Sequence, residues 1–128
     1  MAVASGTTIS LGRGVVKHTW TLTSTASVGR PATLVRLPDK TLHVRGTFAG
    51  CTVVMIGSNQ LATTAAASLA TQTLNDSRGE GNAASFTAAN VVQINENPNL
   101  IYPKISSLGT SATVKSVIVE VVAQSMKR

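Results

Sequence analysis

The sequence has few aromatic side chains, few charges and a single cysteine. Aromatic residues make up 3% of the 128 residues and charged residues 12%, which is about half the usual share of charge. One cysteine, Cys51, excludes an internal disulfide and a cysteine-ligated metal site, and we interpret it as a small buried side chain. Any core must therefore be built from the aliphatic residues that dominate the 43% hydrophobic fraction.

Long apolar runs are missing as well. No run reaches the roughly 18 apolar residues that cross a bilayer, and the start, MAVASGTTISLGRG, lacks the basic and apolar regions of a signal peptide. We therefore expect synthesis in the cytoplasm and no membrane partner. The length suits one domain around one core.

The residue patterns of known catalytic and metal sites are absent too. The sequence contains no HExxH, no CxxC, no phosphate-binding glycine loop and no dinucleotide fingerprint. The acidic residues are scattered without a spacing that suggests an acid–base pair, at Asp39, Asp76, Glu80, Glu96 and Glu120. The sequence therefore predicts no enzyme, no catalytic residue, no metal and no cofactor.

Alternation of apolar and polar residues is the strongest pattern that is present. VVKHTWTLT at residues 15–23 alternates as a half-buried strand does. TLHVRGTFAG and CTVVMIGSN alternate on either side of a glycine turn, which predicts a β-hairpin. About eight such strands, with turn signals between them, predict an all-β fold: an antiparallel β-sandwich or a jelly-roll-like barrel.

Residues 1–15 differ from the rest because they are small, polar and contain glycine without an apolar period. They predict an extended N-terminal arm that does not pack as an element. Residues 16–128 then form a single β-sandwich domain.

Two strands are apolar on both faces, which a lone sandwich exposed to water would avoid. In the predicted hairpin Val54 and Ile56 fall opposite the inner residues, and in the last strand Ile118 and Val122 do the same. We interpret these four residues as an oligomer interface. The alternative is that both strands are central and are covered by the N-terminal arm or by the alanine-rich segment after residue 60.

The positive charge is concentrated in the first third of the chain. The net charge is +6, and residues 1–45 contribute +5, because Asp39 is their only acid. The bases there are Arg13, Lys17, Arg30, Arg36, Lys40 and Arg45. They are spread out and no aromatic platform accompanies them, so we do not predict direct nucleic-acid binding, although the basic third keeps it as an alternative.

Four short motifs occur between residues 42 and 122 in a recognisable order. They are Gly46, Thr47 and Phe48; Gly57, Ser58 and Asn59; Ser85 to Ala89; and Glu96, Pro98, Ile101 and Pro103. Together they resemble small virion proteins of tailed bacteriophages. The likeness covers residues 42–122 and departs after Asn59, where QLATTAAAS replaces an expected turn with glycine and tryptophan.

The resemblance implies a capsid decoration, or cement, protein. Such a protein is a small β-sandwich, often a homotrimer, that binds the major capsid protein on the outer surface of the phage head and stabilises the lattice. On this hypothesis Arg13 and Arg45 are the strongest candidates for docking to the capsid. The alternatives are another virion component, such as a tail, fibre or head–tail protein, and a carbohydrate-binding β-sandwich that uses Trp20 and Tyr102.

Overall fold

The structure of the chain, a computed structural model, describes residues 3–60, 71–76, 83–109 and 113–125. The alanine-rich segment at residues 61–70 lies outside the described residues. Within them the secondary structure consists of strands. They are β1 (Val3–Ala4), β2 (Thr7–Gly12), β3 (Val15–Leu22), β4 (Val28–Gly29), β5 (Asp39–Thr47), β6 (Thr52–Ser58), β7 (Gln72–Thr73), β8 (Ser85–Phe86), β9 (Asn90–Ile94), β10 (Leu100–Ser107) and β11 (Ser116–Gln124).

The strands form two mostly antiparallel sheets that pack together as a β-sandwich, as the sequence predicts. The six-stranded sheet has the order β1–β4–β10–β6–β7, and β8 also pairs with β6. The five-stranded sheet has the order β2–β3–β11–β5–β9. The long strand β11 is central in the five-stranded sheet, where it pairs with β3 on one side and with β5 on the other.

The core between the sheets is mainly aliphatic. Val117, Val119 and Val121 of β11 are fully buried, and the same holds for Val53 and Met55 of β6. Cys51 is also fully buried, which confirms its interpretation as a small core residue, and burial raises the pKa of its thiol.

Trp20 is the largest fully buried side chain of this core. Its indole Nε1 donates a hydrogen bond of 2.8 Å to the carbonyl oxygen of Arg30, so its one polar atom is satisfied inside the core.

The predicted hairpin is wrong, because β5 and β6 belong to different sheets. Residues 48–51 carry the chain from one sheet to the other, with Ala49 and Gly50 at positive φ and the Cys51 N–H donating to the Phe48 carbonyl oxygen at 2.9 Å. A hairpin and a crossing between sheets bury the same alternate residues, so the apolar pattern does not distinguish them.

Gly46 lies where β5 ends and the chain starts to cross to the other sheet, and only glycine fits at this position. Its φ is 116°, which side chains rarely allow, and a Cβ there would lie 2.3 Å from the backbone oxygen of Ser116. The β11 backbone therefore passes as closely as glycine permits at the point where β5 ends.

The structure does not confirm the extended N-terminal arm. Residues 3–15 contain β1, in which Ala4 is buried, and β2, which forms a hairpin with β3. Arg13 and Gly14 both have positive φ, which is the conformation of a two-residue hairpin turn. This turn folds the segment back so that its backbone groups form hydrogen bonds with β3. These backbone hydrogen bonds cannot be predicted from a segment of small polar side chains.

A buried lysine lies at one end of the core. Lys40 is on the inner face of β5 and is 0% exposed, and its Nζ donates a hydrogen bond to Oδ1 of Asn97. The amide nitrogen of Asn97 in turn donates to the carbonyl oxygen of Val35 at 2.9 Å. Burial lowers the pKa of Lys40 from its usual 10.5 to about 8, because the ammonium has left water.

We expect Lys40→Met to remove the pH-dependent contribution that Lys40 makes to the free energy of unfolding. Between about pH 8 and 10.5 the folded wild type loses this proton while the unfolded chain keeps it, so its free energy of unfolding rises with pH. At 1.36 kcal/mol per pKa unit the rise is about 3 kcal/mol. Below pH 8 the full cost of the buried ammonium is present, and the variant should be the more stable protein there.

Denaturant unfolding of both proteins from pH 7 to 10.5 checks this. Burial raises the pKa of Cys51 and of Tyr102, which gives the opposite slope, but both residues are present in both proteins and cancel in the difference. A difference that does not change with pH would contradict the prediction.

Candidate functional site: the outer face of the five-stranded sheet

The outer face of the five-stranded sheet is the surface on which three of the six predicted site residues lie: Ile118, Val122 and Arg45. It consists of the side chains of β2, β3, β11, β5 and β9 that point away from the core. The registers place Thr19, Glu120 and His43 in one row across three strands. Lys17 and Val122 lie in the next row, and Thr21, Ile118 and Arg45 lie in the row on the other side.

Glu120 is the centre of an ionic cluster on this face. Its Oε1 accepts a hydrogen bond of 2.9 Å from Nε of Arg45 and lies 3.8 Å from Nδ1 of His43. Its Oε2 lies 3.4 Å from Nζ of Lys17. The Glu120 side chain is 12% exposed, whereas that of Arg45 is 48% exposed, so three outer basic groups surround one recessed carboxylate.

The environment of Glu120 favours its charged form. The hydrogen bond from Arg45 lowers the pKa of the carboxyl group, and Lys17 lowers it further, against the opposing effect of burial. The cluster joins three strands, because Lys17 is on β3, Glu120 on β11 and Arg45 on β5. Sequence reasoning missed it: alternation assigns each residue to a face, but only the strand register makes them neighbours.

The predicted oligomer interface is divided between two surfaces. Val54 and Ile56 belong to the six-stranded sheet, whereas Ile118 and Val122 lie on the outer face of the five-stranded sheet. Ile56 is only 7% exposed and is part of the hydrophobic core cluster, so it offers no outer contact. Val54, Ile118 and Val122 are each half-buried. The four residues therefore do not form one patch.

This division limits how copies of the chain can assemble. Val54 and the pair Ile118 and Val122 are on opposite sides of the sandwich. A contact that joined one side of a copy to the opposite side of the next would repeat as a stack and would not close into a ring. A closed trimer therefore cannot use both apolar sets, and the face with Ile118 and Val122 is the one that also carries the ionic cluster.

The two arginines predicted to dock lie far apart. Arg45 lies opposite Ile118 in the sheet. Arg13 lies in the β2–β3 turn, past the point where Val16 pairs with Ala123 near the other end of β11. The six residues from Ile118 to Ala123 alone span about 17 Å of strand. Arg45 already binds Glu120, and Arg13 is exposed at the tip of the β2–β3 hairpin.

The basic first third does not form a continuous positive surface. Lys40 is buried, and Lys17 and Arg45 are paired with Glu120. Arg13, Arg30 and Arg36 are exposed in three separate loops or turns. The predicted concentration of charge along the sequence is thus dispersed by the fold, which weakens the nucleic-acid alternative.

The aromatic residues suggested for carbohydrate binding are not at the surface. Trp20 is fully buried and Tyr102 is 4% exposed. A groove of about 660 Å³ does lie at the end of β6, with apolar Leu74 and Pro98 as well as Ser58, Gln72 and Asn97 in its lining. The groove's acid, Glu96, accepts hydrogen bonds from the backbone and side-chain nitrogens of Asn75 at 2.7 and 2.6 Å. These partners give Glu96 a structural role.

The described residues lack two further features. No group of three metal-ligating side chains occurs within them, and they include no helix long and apolar enough to cross a bilayer. Comparison of the chain with known protein families, characterised proteins and solved structures gives no match.

We expect Glu120→Gln to destabilise the fold by about 1 kcal/mol near neutral pH, because it leaves Lys17 and Arg45 beside a neutral group. The pKa of Glu120 is lowered in the fold, so its contribution is present above the usual value of 4.5 and is lost as the pH falls through the folded pKa. The stability difference between wild type and variant should therefore shrink in acid.

Asp39→Asn is a matched control for this measurement. The Asp39 carboxylate accepts hydrogen bonds from two neutral amides, Gln93 at 3.0 Å and Gln124 at 2.7 Å, so the same loss of charge leaves no cation unpaired. Denaturant unfolding of the three proteins compares them. Equal losses in both variants would show that Glu120 does not act by neutralising the bases around it.

Proposed function

We propose that this chain is a structural protein of a tailed-phage particle that decorates the head, where it binds the major capsid protein as an oligomer and stabilises the lattice. The observation that carries the proposal is the outer face of the five-stranded sheet. It combines half-buried Ile118 and Val122 with an ionic cluster that holds its charged groups in fixed positions. Such a face suits a protein contact.

The use made of the acidic residues also supports a structural role. Asp39, Glu96 and Glu120 each accept hydrogen bonds from side chains of other segments, so these carboxylates join strands together. A carboxylate that works as a general acid or base needs access to a substrate. The sequence resemblance supports the more specific part of the proposal, the position on the phage head.

The physical task of such a protein fits this fold. Binding to an assembled lattice stabilises it by the free energy of binding, in the same way that a ligand stabilises the state it prefers. An oligomer multiplies weak contacts through effective concentration. A homotrimer is the expected form. Since contact between opposite faces would stack the copies, we propose that the outer face of the five-stranded sheet meets a different surface of the next copy in such a trimer.

The first test concerns self-association. We expect the isolated protein to be oligomeric at micromolar concentration, and Ile118→Asp to shift it towards the monomer because a charge would enter an apolar contact. Sedimentation and light scattering measure this. Val54→Asp is the control, because Val54 is equally half-buried but lies on the opposite side of the sandwich. A monomeric wild type, or equal effects of both changes, would count against the proposed face.

The second test concerns the capsid. We expect salt to slow association with empty heads of the encoding phage more than it speeds dissociation, since exposed charges act mainly on the rate of encounter. Arg13→Gln should lower this rate severalfold at low salt, and Arg45→Gln should lower it less, because Glu120 already compensates Arg45. Arg30→Gln, an exposed arginine in another loop, is the control.

Two results would overturn this proposal. Association that is indifferent to salt would remove the docking role of the basic residues. Tighter binding to naked DNA than to heads would favour the nucleic-acid alternative.

A further inference from the structure

Strand β2 is an open edge of the five-stranded sheet. All six residues from Thr7 to Gly12 are exposed, and among the described residues β2 pairs on one side only, with β3. The far edge of the same sheet, β9, is covered at its C-terminal end, because the N–H of Asn95 donates to the Asn75 carbonyl oxygen at 2.9 Å and Asp76 forms a bridge with Ile94. The two edges of this sheet are therefore unlike.

The β2 edge lacks most of the features that usually prevent strands from pairing with another molecule. Natural edges carry charged residues, proline or a β-bulge, and β2, with the sequence TTISLG, has neither a charge nor a proline; its one irregularity is a register shift with β3 between Ser10 and Gly12. It presents apolar side chains instead: Ile9 is 46% exposed and Leu11 is 52% exposed. Such an edge is a template for a further strand.

The edge is also held in place before any partner arrives. The Thr8 hydroxyl is hydrogen-bonded to Nδ1 of His18 on the inner side of the sheet. Gly6, just before β2, lies against the His18 ring so closely that a Cβ there would be 2.0 Å from Nε2. The ring of His18 packs edge-on against Trp20 at 4.4 Å between centroids. A partner strand therefore meets an ordered edge and does not have to order it.

We propose that β2 pairs antiparallel with β2 of a second copy of this chain, about a two-fold axis at Ile9, so that two five-stranded sheets become one continuous sheet. Residues that oppose each other across an antiparallel pair point to the same face, so their sequence numbers must have the same parity here. The two-fold at Ile9 satisfies this rule. It sets Ile9 opposite Ile9 on the outer face and Thr8 opposite Ser10 on the inner face, all within the part of β2 that precedes the register shift between Ser10 and Gly12.

The strand is self-complementary in this register, which is why a second copy is the partner. Ile9 meets Ile9, the hydroxyl residues Thr8 and Ser10 meet each other, and no charge meets a like charge, since β2 has no charged residue. The nearest bases, Lys17 of each copy, are separated by the two β2 strands. Three regular residue pairs bury less surface than a standard stable interface, so the contact is a weak and reversible one.

The pairing is two-fold and so is distinct from a threefold contact on the outer face. It requires no capsid, and its test in solution can fail without affecting the proposed function. If the proposed function and the β2 pairing are both correct, the β2 contact links copies in pairs and adds to the avidity of the assembly.

Cysteine cross-linking tests the register directly. Opposed Cβ atoms of a strand pair lie about 4.5–5.5 Å apart, close to disulfide distance, so Ile9→Cys should form a covalent dimer under mild oxidation. Thr7→Cys alone should not, because the two copies of residue 7 would be about 13 Å apart along the strands. A mixture of Thr8→Cys and Ser10→Cys should form a mixed dimer, because these two residues are opposed in the proposed register. The native Cys51 is fully buried and does not compete.

A reversible measurement tests the same contact without a cross-link. Ile9→Glu should weaken dimerisation about tenfold or more in a sedimentation series, since two like charges would oppose each other. The fold should be unaffected, because residue 9 is exposed and lies beside Lys17. An equal mixture of Ile9→Glu and Ile9→Lys should restore pairing by opposite charges.

Val91→Cys provides the control, because Val91 is 57% exposed on β9, the opposite edge strand. The proposal is overturned if Ile9→Cys links no better than Val91→Cys, or if Thr7→Cys links as well as Ile9→Cys. It is also overturned if Ile9→Glu weakens association while Ile9→Cys forms no dimer, because β2 would then pack on the face of another copy and not on its edge.

Discussion

The crossing from β5 to β6 is the constraint on which the two-layer structure depends. In residues 48–51 the chain leaves one sheet and enters the other, so the apolar faces of two consecutive strands are turned towards each other. Gly46 permits it, because the β11 backbone passes where a side chain would stand. Once β5 and β6 are separated, each needs new partners, and β11 and β10, which lie far along the chain, supply them.

The central position of β11 explains why this strand is apolar on both sides. Its inner valines are completely buried against the other sheet. On its outer side Ile118 and Val122 are half-buried between the side chains of β3 and β5, and Glu120 lies between them with its three basic neighbours. Part of the apparent excess of apolar residues is thus used within the chain, and the remainder is a modest surface that also carries fixed charges.

Much of the fold follows from the sequence. The period of two in VVKHTWTLT, TLHVRGTFAG and SVIVEVV assigns inner and outer residues, and the structure buries Trp20, Leu42 and Val119 accordingly. The lack of aromatic residues predicts the aliphatic core. The N-terminal strands are a different case, because small residues such as Thr7 and Ser10 have no apolar period and their pairing is decided by the Arg13–Gly14 turn and by backbone hydrogen bonds.

What the sequence determines by itself is therefore the class of fold and the face of each side chain, since alternation depends only on the local geometry of a strand. What only the tertiary structure decides is which strands are neighbours. Pairing joins residues as distant as Arg45 and Glu120, and the same apolar pattern is compatible with a hairpin or with a crossing between sheets. For that reason the fold separates Val54 from Ile118, disperses the basic first third, and gathers the cluster around Glu120.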